Sequence, residues 1–287
     1  EVLIDMALSA AAANRNNVEE TTIDSDESGA QTDAEERNSG ELQGYLKVGL
    51  GYKSEISPYT EEVEGLSLFI NGRYDWHGFF LESYYGANER NEGVSIGYNF
   101  YNYENWSFDV NTMLAHGETK SEIYDVDKIL IHKRDSTTML ALRATGYFDD
   151  DVSLQVQFAP YSFNQDHKDG YVASAWLGKA WFLKNWEINT SVGVRYYSAG
   201  FLDYYYGISE EEATRHFAAY TPDDGFNVTG QVSASYPISE NWLFESYFKY
   251  TDLSDEIIEN SIMDFAKDLP TRQEHITEFG VLVSYVF

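Results

Sequence analysis

The chain of 287 residues contains no cysteine. That absence removes disulfides and thiolate metal sites, and with them the acylated cysteine through which a lipoprotein holds its membrane. Long hydrophobic runs are also missing: no stretch approaches the roughly 18 to 20 apolar residues that a spanning helix needs. Mean hydropathy is −0.44, so a helical membrane protein is excluded. Basic residues are few, with Lys and Arg numbering 19 against 48 Asp and Glu and a net charge of −29. Phosphate backbones demand surplus cations, so nucleic-acid binding is excluded as well, and the same deficit argues against simple adhesion to anionic lipid.

What is abundant points elsewhere. Aromatics make up 16% of the chain, with 23 Tyr and 17 Phe, and 21 Gly accompany only 5 Pro. This composition without long apolar runs fits many half-apolar strands, arranged as a soluble sandwich or a membrane barrel. The length alone suits one large domain or two small ones. The first residue, Glu1 rather than Met, suits a chain from which a secretory signal has been removed.

Residues 1 to about 40 differ in texture from the rest. Glu19, Glu20, Asp24, Asp26, Glu27, Asp33, Glu35 and Glu36 face only Arg15 and Arg37, with no aromatic among them. Such a segment cannot bury enough surface to fold alone, so it reads as an acidic N-terminal periplasmic extension. Its start, Val2, Leu3, Ile4, Met6 and Leu8 followed by an alanine run, suits a short helix where an apolar groove is offered, by the lumen of a barrel or by a partner protein.

From residue 41 onward the pattern is alternation. At the C-terminus Phe279, Val281, Val283, Tyr285 and Phe287 share one face while Glu278, Gly280 and Ser284 take the other. The same period runs through Phe226 to Ile238 and Trp186 to Tyr196. Read this way, strands are expected near 42–54, 63–74, 78–88, 92–102, 105–117, 136–148, 151–164, 169–183, 185–199, 224–238, 241–252 and 274–287. In the strand at 169–183, Trp176 and Leu177 compete for one face. The count of about twelve is even, as single-chain bacterial barrels require.

The connections alternate too. Tight turns fall at 75–77, 103–104, 149–151, 184–185 and 239–241; between them, 118–135, 200–223 and 253–273 are long, with shorter connections near 55–62, 89–91 and 165–168. Short periplasmic turns against longer outer loops are the mark of an outer-membrane barrel, and twelve strands put both termini in the periplasm. Asn105-Trp106, Asn185-Trp186 and Asn241-Trp242 each open a strand after a tight turn, and Trp76 stands beside a fourth. Trp prefers the bilayer interface, so these four read as a periplasmic aromatic girdle. The terminal strand ends in Phe287 with Tyr285 two before it, which resembles the signal that the barrel assembly machinery reads. The fold expected is therefore all-β: a transmembrane antiparallel β-barrel over residues 41–287, in the outer membrane of a Gram-negative bacterium.

The face opposite the lipid carries Lys47, Arg73, Glu82, Asp109, Arg143, Glu187, Arg195, Glu245, Lys249 and Glu278. Unpaired charge away from water is costly, so these should form a lumen charge network, either structural or lining a solute pathway. Six His, at 77, 116, 132, 167, 216 and 275, lack metal-ligand spacing. No His and Ser pairing of a barrel hydrolase is present either, His132 and Ser136 lying in an expected loop, so neither catalysis, metal nor cofactor is expected. Gly49 to Ser54 matches a phosphate loop only superficially, being in a strand with no helix to follow. Asp149, Asp150 and Asp151, and likewise the acidic residues of the last long loop, need no Ca²⁺ to be explained. Acidic outer loops suit either a repulsive solvated surface or divalent cations bridging to lipopolysaccharide phosphates. In the 200–223 loop, Tyr204, Tyr205, Tyr206 and Phe217 suit either a surface contact or a lid over the barrel mouth.

Several segments together resemble the MipA/OmpV family of outer-membrane proteins, named for interaction with the lytic transglycosylase MltA. They are Val48-Gly49-Leu50-Gly51-Tyr52 with Ser57-Pro58-Tyr59, then Asn71-Gly72-Arg73-Tyr74 leading into Gly78-Phe79-Phe80-Leu81. Tyr205-Tyr206-Gly207-Ile208-Ser209 with Glu212-Ala213 and Tyr220 completes the set, across roughly residues 44 to 287. The acidic extension is longer than the family's, and the last loop lacks its Ser-Pro pair. The resemblance implies a scaffold bridging a murein hydrolase and a murein synthase. A small-solute channel through the polar lumen and a surface adhesin acting through the outer loops are the alternatives.

Overall fold

The structure is a computed structural model that describes residues 43–58, 60–86, 93–117, 134–164, 169–213, 218–259 and 274–287. The acidic extension, with Val2, Leu3, Ile4, Met6 and Leu8, lies outside the described residues, as do Phe217, His132, His167 and His216. Twelve strands follow one another: β1 (Gln43–Ser57), β2 (Thr60–Trp76), β3 (Phe79–Tyr84), β4 (Gly93–Tyr103), β5 (Trp106–His116), β6 (Thr137–Phe148), β7 (Val152–Ser162), β8 (Val172–Leu183), β9 (Trp186–Tyr197), β10 (Gly225–Pro237), β11 (Trp242–Asp252) and β12 (His275–Val286). Each pairs antiparallel with its sequence neighbours, and β1 closes on β12 from Lys47 opposite Val286 to Ile56 opposite Thr277. The result is a closed up-and-down barrel without sheet edges at its seam. Among the described residues no helix is long and apolar enough to cross a membrane.

Alternation decides which side chains face out. Leu50, Leu66, Leu68, Phe79, Leu81, Val94, Ile96, Phe158, Leu177, Val192, Phe226, Phe248 and Phe279 are all exposed on the outer wall. An apolar exterior this continuous is an error in water and the requirement in lipid. The contest in β8 is settled by size: Trp176 turns inward and is buried over Gly193, where an added Cβ would lie 2.3 Å from the indole, while Leu177 faces out.

Both kinds of connection are visible. At one end His77, Glu104 and Lys184 adopt φ of 51°, 49° and 59°, the left-handed backbone that two-residue hairpins need to match strand twist. Asp149–Asp151 forms a single 3-10 turn at the same end, with Asp150 and Asp151 both at φ 60°. At the other end, the 200–223 connection is not merely a loop: Ala199–Tyr206 forms helix α1, and α2 (Asp255–Ile258) opens the 253–273 connection.

One strand is shorter than the alternation suggests. β3 is expected to run to residue 88 and stops at Tyr84. The Asn71 side chain clasps Tyr85, accepting from its N–H at 2.6 Å and donating to its carbonyl at 3.1 Å. Gly86 then takes φ +84°, a turn that carries the chain inward over Phe69 and Tyr247.

Candidate functional site

The interior changes character along its length, and β5 displays the change within one strand. Its inward residues, from the tight-turn end to the loop end, are Asp109, Asn111, Met113 and Ala115, all buried. β6 runs the opposite way with Met139, Ala141, Arg143 and Thr145. On β5 and β6 charge therefore collects in the half near the tight turns and apolar surface in the half near the loops.

In the charged half, Glu82 stands between two arginines. Arg73 donates Nη1 to Glu82 Oε2 at 2.9 Å and grips Asp75 with Nε and Nη2, both at 2.9 Å. Arg143 donates Nη1 to Glu82 Oε1 at 2.6 Å and Nε to Asp109 Oδ2 at 2.9 Å. Asn99 donates to the other Asp109 oxygen at 2.8 Å. The buried Phe80 ring lies 4.1 Å from the Arg73 guanidinium carbon and 5.1 Å from that of Arg143, so both cations also rest on an aromatic face. On the adjoining strands β1, β11 and β12, Lys47 pairs with Glu245, whose second oxygen accepts from Ser284 Oγ at 2.6 Å. Nearer the loop end, Glu278 pairs with Lys53 at 2.8 Å and faces Lys249 at 3.7 Å.

Eight of the ten inward charges singled out in the sequence thus meet in these chains of contact. The other two stand elsewhere on the wall: Glu187 accepts from Asn189 at 2.9 Å, and half-buried Arg195 lies in register with Ser174 and Asn227. Lys53, Asp75, Asn99 and Phe80 join the site without having been singled out. Their face parity was readable, since Phe80 and Glu82 share a face, but which rings and amides reach which charges depends on how neighbouring strands align.

At the loop end α1 packs into the mouth. Phe201 and Leu202 have no exposure, and with Tyr205 they pack against Met113, Met139, Ala141, Ala159, Val172 and Tyr197. Leu253, with Ile257 and Ile258 of α2, completes the same cluster. Tyr205 stacks on His116 with ring centroids 3.8 Å apart and donates to the Asp135 carbonyl at 2.9 Å, and burial pushes its hydroxyl pKa up to about 12. Tyr204 and Tyr206 pack on the same cluster. Arg134 pins the end of α1, donating to the Tyr204 carbonyl at 2.7 Å and to buried Glu212 at 3.0 and 3.1 Å. Tyr205 is thus buried in the mouth, while Tyr204 and Tyr206 are half-buried against it.

The tight-turn end is ringed by aromatics. Trp76, Trp186 and Trp242 are exposed there and Trp106 half-exposed. Trp106 meets Phe108 and Phe148, Trp186 meets Tyr236 and Phe244, and Trp242 meets Tyr285, which meets Phe287. The Asn before two of these Trp has a separate task. Asn105 donates to the Tyr147 carbonyl at 2.6 Å and Asn241 to that of Val286 at 3.1 Å, tying each turn to the next strand. Phe279, Val283 and Phe287 of the terminal strand are exposed on the outer wall, with Val281 and Tyr285 half-exposed on the same face. Among the described residues no cluster of His, Asp and Glu is arranged to hold a metal ion.

The model of the family described as MltA-interacting protein MipA matches residues 48–287. Among curated proteins, YiaT of Escherichia coli (strain K12) is 28% identical over 135 residues, which cover 47% of this chain and 54% of YiaT, so the match spans about half of that relative. The outer membrane protein OmpV of Vibrio cholerae serotype O1 is 25% identical over 236 residues, covering 80% of this chain and 89% of its own. A protein of Escherichia coli (strain K12) named MltA-interacting protein is 32% identical over 78 residues, 27% of this chain and 32% of its own. Among solved structures, the NanC porin aligns with a TM-score of 0.42 at 7% identity, covering 84% of this chain and 98% of its own. The barrel is given by its own closed strand ladder.

Proposed function

Because the chain belongs to the MltA-interacting protein MipA family, we propose that it is a non-catalytic outer-membrane barrel that docks a murein-remodelling envelope protein at its tight-turn end. The observation that carries this reading is the packing at one mouth: α1 and α2 sit in a buried cluster there, and ion pairs cross-link the wall below them. A barrel so filled is suited to present a surface and poorly suited to pass solute. The tight-turn end then faces the periplasm, and the docking surface combines the girdle turns with residues 1 to 40. The printed name of one relative, MltA-interacting protein, supports a murein hydrolase as the partner class. The terminal strand, Phe279 to Phe287, serves the assembly machinery during biogenesis.

The test is an affinity pull-down of the tagged barrel after crosslinking in intact cells, with bound proteins identified by mass spectrometry. A murein hydrolase is expected, and deletion of residues 1 to 40 together with substitution of the turns should release it. An empty pull-down combined with conductance of the intact barrel in planar bilayers would overturn the docking reading in favour of a channel.

A further inference from the structure

Lys47, Lys53, Arg73, Arg143 and Lys249 each meet a carboxylate inside the barrel. Lys179 faces the other way. On β8, Val172, Ser174, Trp176 and Gly178 are buried toward the lumen, while Leu177, Lys179, Trp181 and Leu183 share the outer face. Among the described residues the Lys179 ammonium has neither a hydrogen bond nor an ion pair, and it rests on the Trp181 ring with Nζ 4.5 Å from the centroid. That ring is held in place. Its Nε1 donates to Thr190 Oγ1 at 3.2 Å, and Thr190 Oγ1 donates to the Lys179 carbonyl at 3.4 Å.

Trp186 of the girdle stands opposite Leu183, and Lys179 opposite Thr190. Lys179 is therefore rooted roughly 10 Å above the girdle, at about 3.3 Å per residue and a tilt of about 40°. A lysine so placed on a lipid-facing wall is costly unless its ammonium reaches the headgroup level. Trp181 lies on the turn side of Lys179, so the ammonium over its ring is bent toward the headgroups. A cation at that boundary, shielded from bulk water by an indole, calls for an anion.

The neighbouring strand supplies the opposite charge. Lys179 is also the register partner of Val152, where β7 begins, so the 3-10 turn Asp149–Asp151 runs beside β8 just below it. Among the described residues neither Asp149 nor Asp150 forms an ion pair, with Lys179 or with any other cation. A cation and an acidic turn that stand side by side without pairing match a ligand that carries both signs. A purely anionic headgroup would meet Lys179 and be repelled by the turn. Val156, Leu177 and Val192, exposed on the wall above, suit the acyl chains of a lipid.

We propose that this corner of the outer wall binds the zwitterionic headgroup of a phosphatidylethanolamine, its phosphate on Lys179 beside Trp181 and its primary ammonium on Asp149 and Asp150. The inference takes from the docking reading only that the tight-turn end lies at the periplasmic leaflet, which is built of phospholipid.

Native mass spectrometry of the full-length chain in non-ionic detergent tests it, with phosphatidylethanolamine, phosphatidylcholine, phosphatidylglycerol and lipid A added singly and in competition. Phosphatidylethanolamine should be held about fivefold more tightly than phosphatidylcholine, whose quaternary ammonium donates no hydrogen bond, or phosphatidylglycerol, which lacks the cation. Lys179→Gln should erase that preference and Lys179→Arg should keep it, while Asp149→Asn with Asp150→Asn should bring phosphatidylglycerol level with phosphatidylethanolamine. Equal retention of the three phospholipids by the parent chain would overturn the proposal. So would a preference that survives Lys179→Gln in a barrel whose circular dichroism is unchanged. Tighter binding of lipid A would overturn the assignment to the phospholipid leaflet, and a lipid-free dimer would give the patch to a second copy instead. No partner protein enters these measurements, so failure of the docking reading and failure of this one are read separately.

Discussion

At the tight-turn end the barrel is held by hydrogen bonds and rings on its rim, and its interior is charged, whereas at the loop end it is filled by two short helices whose buried residues are almost all apolar. The two halves use different physics inside one wall. Charge near the turns is tolerated because every buried carboxylate there has a cation or amide within reach: Glu82 has two arginines, and Asp109 has Arg143 and Asn99. The cluster around α1 needs no such matching. Met113, Met139 and Val172 accept Phe201 and Leu202 through contact alone. Geometry is therefore strict where charges pair and volume decides around α1.

The contrast breaks most severely by putting a charge where volume rules. Phe201→Asp should unseat α1 at a cost above about 4 kcal/mol, because the carboxylate finds no cation in that cluster. Limited proteolysis should then cut within 199–206, and bilayer recordings should show conductance that the parent lacks; an uncut, silent variant would mean that the plug tolerates charge. Next in size is the converse experiment in the charged half. Glu82→Gln leaves Arg73 and Arg143 facing each other with one anion fewer, which should cost about 3–5 kcal/mol in urea unfolding of the vesicle-embedded barrel. Adding Arg143→Met should recover part of that loss, and a double variant no more stable than the single would count against the pairing as its cause. The smallest effect belongs to the rim. Asn105→Ala and Asn241→Ala should each cost about 1 kcal/mol, and their combination should be additive to within about 0.5 kcal/mol, since the two turns share no contact.

Much of this was legible in the residues. The twelve strands, the tight turns at one end and the four tryptophans beside them follow from a two-residue period and from where it is interrupted. The inward charges were legible as a set, because alternation assigns each to a face. Their pairing was not: Arg143 and Glu82 are 61 residues apart and meet only through the registers of β3 with β4, β4 with β5 and β5 with β6. The Asn-Trp repeat was visible three times, yet only its Trp had an evident role. The Asn acts on a carbonyl of the next strand, and nothing local announces that. Helix α1 escaped because Phe201, Leu202, Tyr204, Tyr205 and Tyr206 read equally as an aromatic surface and as a packed one.

The sequence by itself determined that this chain crosses a membrane as a barrel, because period, turn spacing and apolar content are local properties that any fold of these residues must satisfy. Only the tertiary structure decided that two short helices pack into the loop-end mouth, that eight of the inward charges meet in chains of contact and that β3 stops at Tyr84. Those outcomes depend on which strands lie side by side and in what register, and register is a relation between segments that no single segment contains.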